Sequence, residues 1–261
     1  MFGALILINC HAKVIVKKKM KKLHLNFSDN LIAQLLTLIC ISLYCLTTHA
    51  QTKENDWQGA YAQLGLLGFA SYIPGTSSGT TSIGSLNLPT TSSANTLNGY
   101  AGNISAGYNF PINGSYVLGI GATLFPGTSR TGTTSATNAA GTVTGEYNLS
   151  NVFSIFISPG YVIDSEKLLY GKLGYAGSTI RTSASGNRAG NFSQVTTSMN
   201  GVVFGLGYKQ IVMDSIYLFA EANYAINNDK SASVVTDEGF VVSSTAKATG
   251  FDLMFGVGYR F

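Results

Sequence analysis

Beyond residue 57 the apolar positions recur at every second residue rather than every third or fourth, the period of a strand with two unlike faces. The last segment shows this most plainly: Phe251, Leu253, Phe255, Val257, Tyr259 and Phe261 alternate with Asp252, Met254, Gly256, Gly258 and Arg260. Val202, Phe204, Leu206 and Tyr208 likewise alternate with Val203, Gly205, Gly207 and Lys209, and Leu218, Ala220, Ala222 and Tyr224 with Tyr217, Phe219, Glu221 and Asn223. Eight such segments are predicted as strands: 57–71, 97–110, 115–125, 149–163, 168–178, 199–211, 215–226 and 249–261. No sustained helical period interrupts them.

The connections alternate in length. Residues 111–114, 164–167 and 212–214 are tight turns, whereas 72–96, 126–148, 179–198 and 227–248 are long and rich in Ser, Thr, Gly and Asn. Four long loops therefore fall at one end, and three short turns with both termini at the other. An even number of strands, each about 10 residues long, with short turns on one side and long loops on the other, is the layout of a transmembrane up-and-down antiparallel β-barrel. A soluble exported lipid-binding barrel would alternate too, but its polar face would meet water and carry many charges. Here that face carries only Lys172, Lys209, Glu221, Asp252 and Arg260, and glycines dominate it: Gly65, Gly107, Gly119, Gly121, Gly160, Gly174, Gly205, Gly207, Gly256 and Gly258. Such a face suits a narrow lumen. Tyr108, Phe110, Tyr116, Tyr161, Tyr208, Tyr259 and Phe261 gather beside the short turns, where amphipathic rings favour the headgroup level of a membrane.

Composition divides the chain at Ala50. Residues 1–50 hold six Lys, one acidic residue, and every Cys (Cys10, Cys40, Cys45) and His (His11, His24, His49). The Lys cluster at 17–22, the apolar run from Leu31 to Leu46 and Thr48-His49-Ala50 read as a secretory signal cleaved after Ala50, with Met1 or Met20 as the start. The apolar run has 16 residues, short of the roughly 20 that a spanning helix needs. Residues 51–261, expected to be the barrel domain, hold ten Lys and Arg against eleven Asp and Glu. The net positive charge of the whole chain therefore belongs to the leader and is no argument for nucleic-acid binding. A mature chain without Cys or His has no thiolate or imidazole for catalysis or for metal ligation.

These features resemble the small eight-stranded outer-membrane β-barrel family that includes the OmpA transmembrane domain and the opacity-type surface proteins. The resemblance covers 57–261. Its most specific part is Gly256-Val257-Gly258-Tyr259-Arg260-Phe261, similar to the signal that the outer-membrane assembly machinery reads, with Gly256, Tyr259 and Phe261 in the marked positions. Met254 departs from the polar residue usual there. The resemblance implies an outer-membrane location in a Gram-negative bacterium and contact with its lipid. Enzymes of similar architecture rely on a catalytic His, so none is expected here, and no cofactor or metal is implied. The chain carries no match to the peptidoglycan-binding domain of full-length OmpA proteins, so a tie to the cell wall is not implied.

Eight strands enclose just enough space for side chains to fill. Tyr61, Gln63, Tyr170, Lys172, Phe219, Glu221 and Arg260 are expected to point inward, with Lys172 and Glu221 at similar heights. Lys172, Lys209, Glu221 and Arg260 form either a structural polar network or a gate on a narrow ion path. Glu146, Asp237 and Glu238 in or beside the loops read as solvated charge. Two functions follow: a non-enzymatic barrel serving envelope structure or surface interaction through its four loops, whose ligand the sequence does not name, or a narrow porin for small solutes or ions.

Overall fold

The computed structural model describes residues 56–127, 130–185 and 190–261. The leader and the boundary after Ala50 lie outside these residues. Fourteen strands are present among them: β1 (Gly59–Pro74), β2 (Ser77–Ile83), β3 (Leu86–Ala94), β4 (Leu97–Tyr100), β5 (Asn103–Asn113), β6 (Tyr116–Leu124), β7 (Arg130–Asn138), β8 (Gly141–Asp164), β9 (Lys167–Ala184), β10 (Phe192–Met213), β11 (Ile216–Asn227), β12 (Lys230–Val235), β13 (Val241–Ala246) and β14 (Ala248–Arg260).

Eight of them close a ring. Antiparallel ladders join β1 to β5, β5 to β6, β6 to β8, β8 to β9, β9 to β10, β10 to β11, β11 to β14, and β14 back to β1. Closure satisfies every neighbour's backbone within the sheet, the condition for a strand to cross lipid. The outward rows are apolar and open to the surroundings: Phe204, Leu206, Leu218, Phe255, Ile120 and Ile157 are all exposed. Their alternates, Val203, Lys209, Tyr217, Phe219, Glu221 and Met254, are buried inside the ring. An apolar band around a closed, filled ring is the arrangement that a bilayer requires.

The tight turns are set by local chemistry. Asn113 Oδ1 accepts from the amides of Ser115 (2.9 Å) and Tyr116 (3.0 Å). Asp164 accepts from the amide of Glu166 (2.9 Å) and from Lys167 Nζ (2.7 Å). Both are the self-capping turns that Asn and Asp favour. At this rim Tyr108 packs on Phe110, Tyr116 on Tyr161 and Tyr259 on Phe261, with ring centroids 4.7, 5.3 and 4.9 Å apart.

Several ladders carry register shifts, and two of these shifts change which parity faces inward. Between Gly65 and Leu67 the β1–β14 register shifts by a bulge, so that Leu66 and Leu67 both face outward. The inward set passes from Tyr61, Gln63 and Gly65 to Gly68, Ala70 and Tyr72. A second shift, between Ser150 and Phe153 in β8, contains Asn151 at a φ of 52°. There the inward parity changes from Tyr147 and Leu149 to Ser154, Phe156 and Ser158.

The long loops differ most from expectation, because they are largely sheet. The upper halves of β8, β9 and β10 rise above the ring, and the ladders continue β8–β7–β3–β2–β13–β12. Thr and Ser pair across these strands through their hydroxyls: Ser93 with Ser135, Thr137 with Thr142, Ser231 with Thr245 and Ser233 with Ser243, at 2.7–3.1 Å. Cross-strand hydroxyl pairs and β-branched backbones stabilise strands whatever their polarity.

Candidate functional site: a filled lumen beneath a surface chamber

Inside the ring the glycines give up their space to rings from neighbouring strands. A Cβ on Gly207 would lie 2.2 Å from Tyr170 Cζ, and one on Gly258 would lie 2.1 Å from Tyr217 Cζ. Trp57, Tyr61, Val117, Leu168, Tyr170, Tyr217, Phe219 and Met254 thereby form one buried cluster. Trp57 meets Tyr217 edge-on at 5.7 Å and occupies the end of the lumen beside the short turns.

Above this packing lies a polar layer. Lys172 Nζ is 3.0 Å from Glu221 Oε1, with both side chains 2% exposed. The other carboxylate oxygen accepts from Tyr170 Oη at 2.7 Å. Asn223 Nδ2 donates to Glu221 Oε1 and to Asp252 Oδ1, each at 2.8 Å. Thr123 Oγ1, 3.4 Å from Lys172 Nζ, pairs with Ser105 Oγ at 2.7 Å. A buried ion pair is tolerable because these partners occupy the lone pairs and protons that the pair leaves over.

The four lumen charges singled out from sequence do not form one network. Lys172 and Glu221 meet. Lys209 is held instead among three tyrosines, its Nζ 3.9, 4.9 and 5.1 Å from the ring centroids of Tyr61, Tyr170 and Tyr217, which supply cation–π attraction. Arg260 stands at the rim, donating to the backbone carbonyl of Asp214 at 2.7 and 3.1 Å and to that of Asp56. Of the C-terminal signal residues, Tyr259 and Phe261 face outward, Gly256 faces the lumen, and the Phe261 amide donates to the Ala60 carbonyl at 2.9 Å.

Over the lumen the risen strands surround an open-mouthed cavity of about 770 Å³, which reaches the tips of the β2–β3 and β7–β8 hairpins at Ile83, Leu86 and Ala140. Its floor is an apolar layer of Tyr72, Leu97, Tyr147, Leu149 and Ala248. Tyr147 Oη donates to the Asn95 carbonyl, and burial pushes its phenol up to about 12. The walls are Leu88, Val143, Ile180, Val195, Met199 and Val234. Between them stand small side chains, Ala94, Ala136, Ala184, Ala232 and Ala246, whose shortness leaves the space empty. Some of the polar wall groups are paired: Thr81 with Thr90 behind it at 2.8 Å, and Ser77 with Ser244 at 3.0 Å.

Comparison with solved structures gives the fold its context. The outer membrane protein OprG from Pseudomonas aeruginosa aligns with a TM-score of 0.61 at 15% identity, over 80% of this chain and 99% of its own. The fold is that of the small outer-membrane β-barrels. The attachment invasion locus protein Ail of Yersinia pestis matches at a TM-score of 0.34, 13% identity, 75% of this chain and 99% of that one. The outer membrane protease OmpT from Escherichia coli matches at 0.44, 12% identity, 82% and 100%. No family model matches the chain, and no curated protein matches it.

Sequence reasoning about this barrel missed the chamber. Its signal was present in the loops, where Val143, Tyr147 and Leu149 alternate with Thr142, Thr144, Glu146 and Asn148, and Ala232 and Val234 with Ser231 and Ser233. Asp237, read as solvated charge, accepts from the backbone amide of Asn191 at 2.6 Å and from its side-chain amide at 3.1 Å.

Proposed function

We propose that this protein is an integral outer-membrane barrel of a Gram-negative bacterium that holds small apolar molecules at the cell surface, in the chamber built by its loops, and performs no covalent chemistry. The observation that carries the reading is the chamber itself. Its volume falls within the roughly 300–1,000 Å³ of small-molecule sites, its exposed lining is mostly apolar, and several of its hydroxyls, those of Ser77, Thr81 and Ser244 among them, are already paired. A void of this size lined by alanine and valine favours a ligand that gains by leaving water and asks for no hydrogen bond. The lumen beneath is packed with Met254, Phe219, Tyr61 and Tyr217, which supports holding over conduction. On this reading Lys172, Glu221 and Lys209 brace the barrel from inside, Arg260 ties its rim, and Gly256, Tyr259 and Phe261 present the last strand to the assembly machinery.

The test uses methyl-labelled protein in lipid nanodiscs with toluene as the probe, and empty nanodiscs as the background. Intermolecular NOEs from toluene to the methyls of Met199 and Val234 are expected, and Ala136→Phe, which fills the chamber, abolishes them. Contacts confined to the outward Leu206 and Leu218 would overturn the reading.

A further inference from the structure

The two bulges that reset parity in β1 and β8 act on the same place. Counted by twos from Gly65, unbroken alternation would turn Leu67, Phe69 and Ser71 inward and Tyr72 outward; the shift between Gly65 and Leu67 reverses this. Counted back from Ser154, it would turn Ser150 and Asn148 inward and Tyr147 and Leu149 outward; the shift between Ser150 and Phe153 reverses that as well. Bulges recur beside functional sites, where they re-aim a side chain. Here each delivers one tyrosine to the chamber floor, and the two rings meet there at 6.4 Å with a tilt of 45°.

The two hydroxyls differ in what they do. Tyr147 Oη donates to the Asn95 carbonyl. Tyr72 Oη has no hydrogen bond to any described residue, although Tyr72 is only 8% exposed and lines the cavity. Nor is it one of the fully enclosed polar atoms that lack a partner, so it faces whatever fills the chamber. The ring is held in place: Leu97, Tyr147, Leu149 and Ala248 pack about it, and its backbone is paired with Gly250 on one side and Leu97 on the other. A fixed phenol thus stands in a floor whose remaining surface is aliphatic or aromatic carbon.

In an open chamber water serves this hydroxyl. A molecule that settles on the floor displaces that water and either takes up the bond or leaves a buried polar group unmatched, which costs more than the bond itself gains. We propose that Tyr72 is the specificity residue of the chamber, and that the molecules it selects are apolar bodies carrying one accepting oxygen at the end that enters first, as in an aryl ketone. The inference rests on the chamber binding apolar ligands, as argued above: its walls ask for no hydrogen bond, and its floor asks for one.

The experiment compares acetophenone with α-methylstyrene, in which a methylene group replaces the carbonyl oxygen at nearly the same shape. Dissociation constants are read from the methyl shifts of Met199 and Leu97 in nanodiscs, on the full reading frame expressed and purified from membranes, and referred to the free aqueous concentration of each probe. Tyr72→Phe keeps the ring and deletes the hydroxyl. It is expected to weaken acetophenone and tighten α-methylstyrene, moving the ratio of the two constants by about tenfold; partition into lipid cancels when that ratio is compared between wild type and variant. The labelled carbonyl carbon of acetophenone is expected downfield, as in a hydrogen-bonded ketone, when bound to wild type, and to lose that shift in the variant. Heat-modifiable gel migration confirms that each variant is folded. An unchanged ratio in Tyr72→Phe, with both probes still in contact with Met199, would overturn the role of Tyr72 and leave the chamber reading intact. A larger change on Thr197→Val, which removes a hydroxyl from the wall, would also overturn it by moving the polar contact there. Absence of both probes from the wild-type chamber would overturn both.

Discussion

At the residue scale, two carboxylates illustrate how differently the same group behaves with depth. Glu221 is buried with Lys172 as its counter-ion and with Tyr170 and Asn223 as further donors. Removing one member leaves the other charged and dry, which typically costs about 3–5 kcal/mol. Glu221→Ala is accordingly expected to destabilise the barrel by that order in urea unfolding in lipid, and Lys172→Met/Glu221→Leu to recover much of the loss. Asp237, at the surface, is held below the ordinary carboxylate range, first by the backbone amide of Asn191 and then by its side-chain amide. A depressed folded value means that the Asp237–Asn191 contact is fully formed above the unfolded aspartate value near 4 and is lost as the pH falls through the lower folded one. The Asn191 amide shift should therefore titrate with a midpoint below that of a free aspartate. A midpoint at or above it would remove the carboxylate from that contact. Only Lys172 and Glu221 among the singled-out charges could be paired from sequence, because equal height above the turns depends on register alone. The tyrosine cage of Lys209 depends on the rotation of three strands about a closed ring, which no local pattern encodes.

At the element scale, the strands that meet lipid were legible because each needs one continuous apolar face. Those of the loops were overlooked because their inward face is built largely of small residues such as Ala136, Ala232 and Ala246 among Ser and Thr, a weak apolar signal, and because they are held together by cross-strand hydroxyl pairs such as Ser233–Ser243. The bulges at Gly65–Leu67 and Ser150–Phe153 were equally hidden, since an extra residue alters parity without altering composition. The last strand joins the first through thirteen register pairs, from Tyr61–Arg260 to Pro74–Ala248, with the Phe261 amide as a further bond to Ala60. If that strand also carries the assembly signal, deletion of Phe261 lowers the amount of protein inserted in the membrane. The same deletion would leave detergent-refolded barrel heat-modifiable, because one terminal bond is small beside the remaining ladder. Equal membrane yields with and without Phe261 would contradict the signal.

At the scale of the whole molecule, a single sheet serves two solvents. Its lower ring turns leucine and phenylalanine outward to acyl chains and fills itself with tyrosine, glycine and one buried ion pair. Its upper extension is rich in serine and threonine and brings alanine, valine and methionine among them to the wall of an open cavity. The inversion of polarity along continuous strands such as β10, from Leu206 outward below to Val195 and Met199 inward above, is what makes a filled barrel carry a cavity. The most direct measurement of this arrangement is a crystal structure of the protein soaked with 4-bromotoluene, read by bromine anomalous scattering. The bromine peak is expected inside the chamber, among Tyr72, Tyr147 and Met199. Peaks found only along the outward Leu206 and Ile157 band, with the chamber unchanged, would contradict the account.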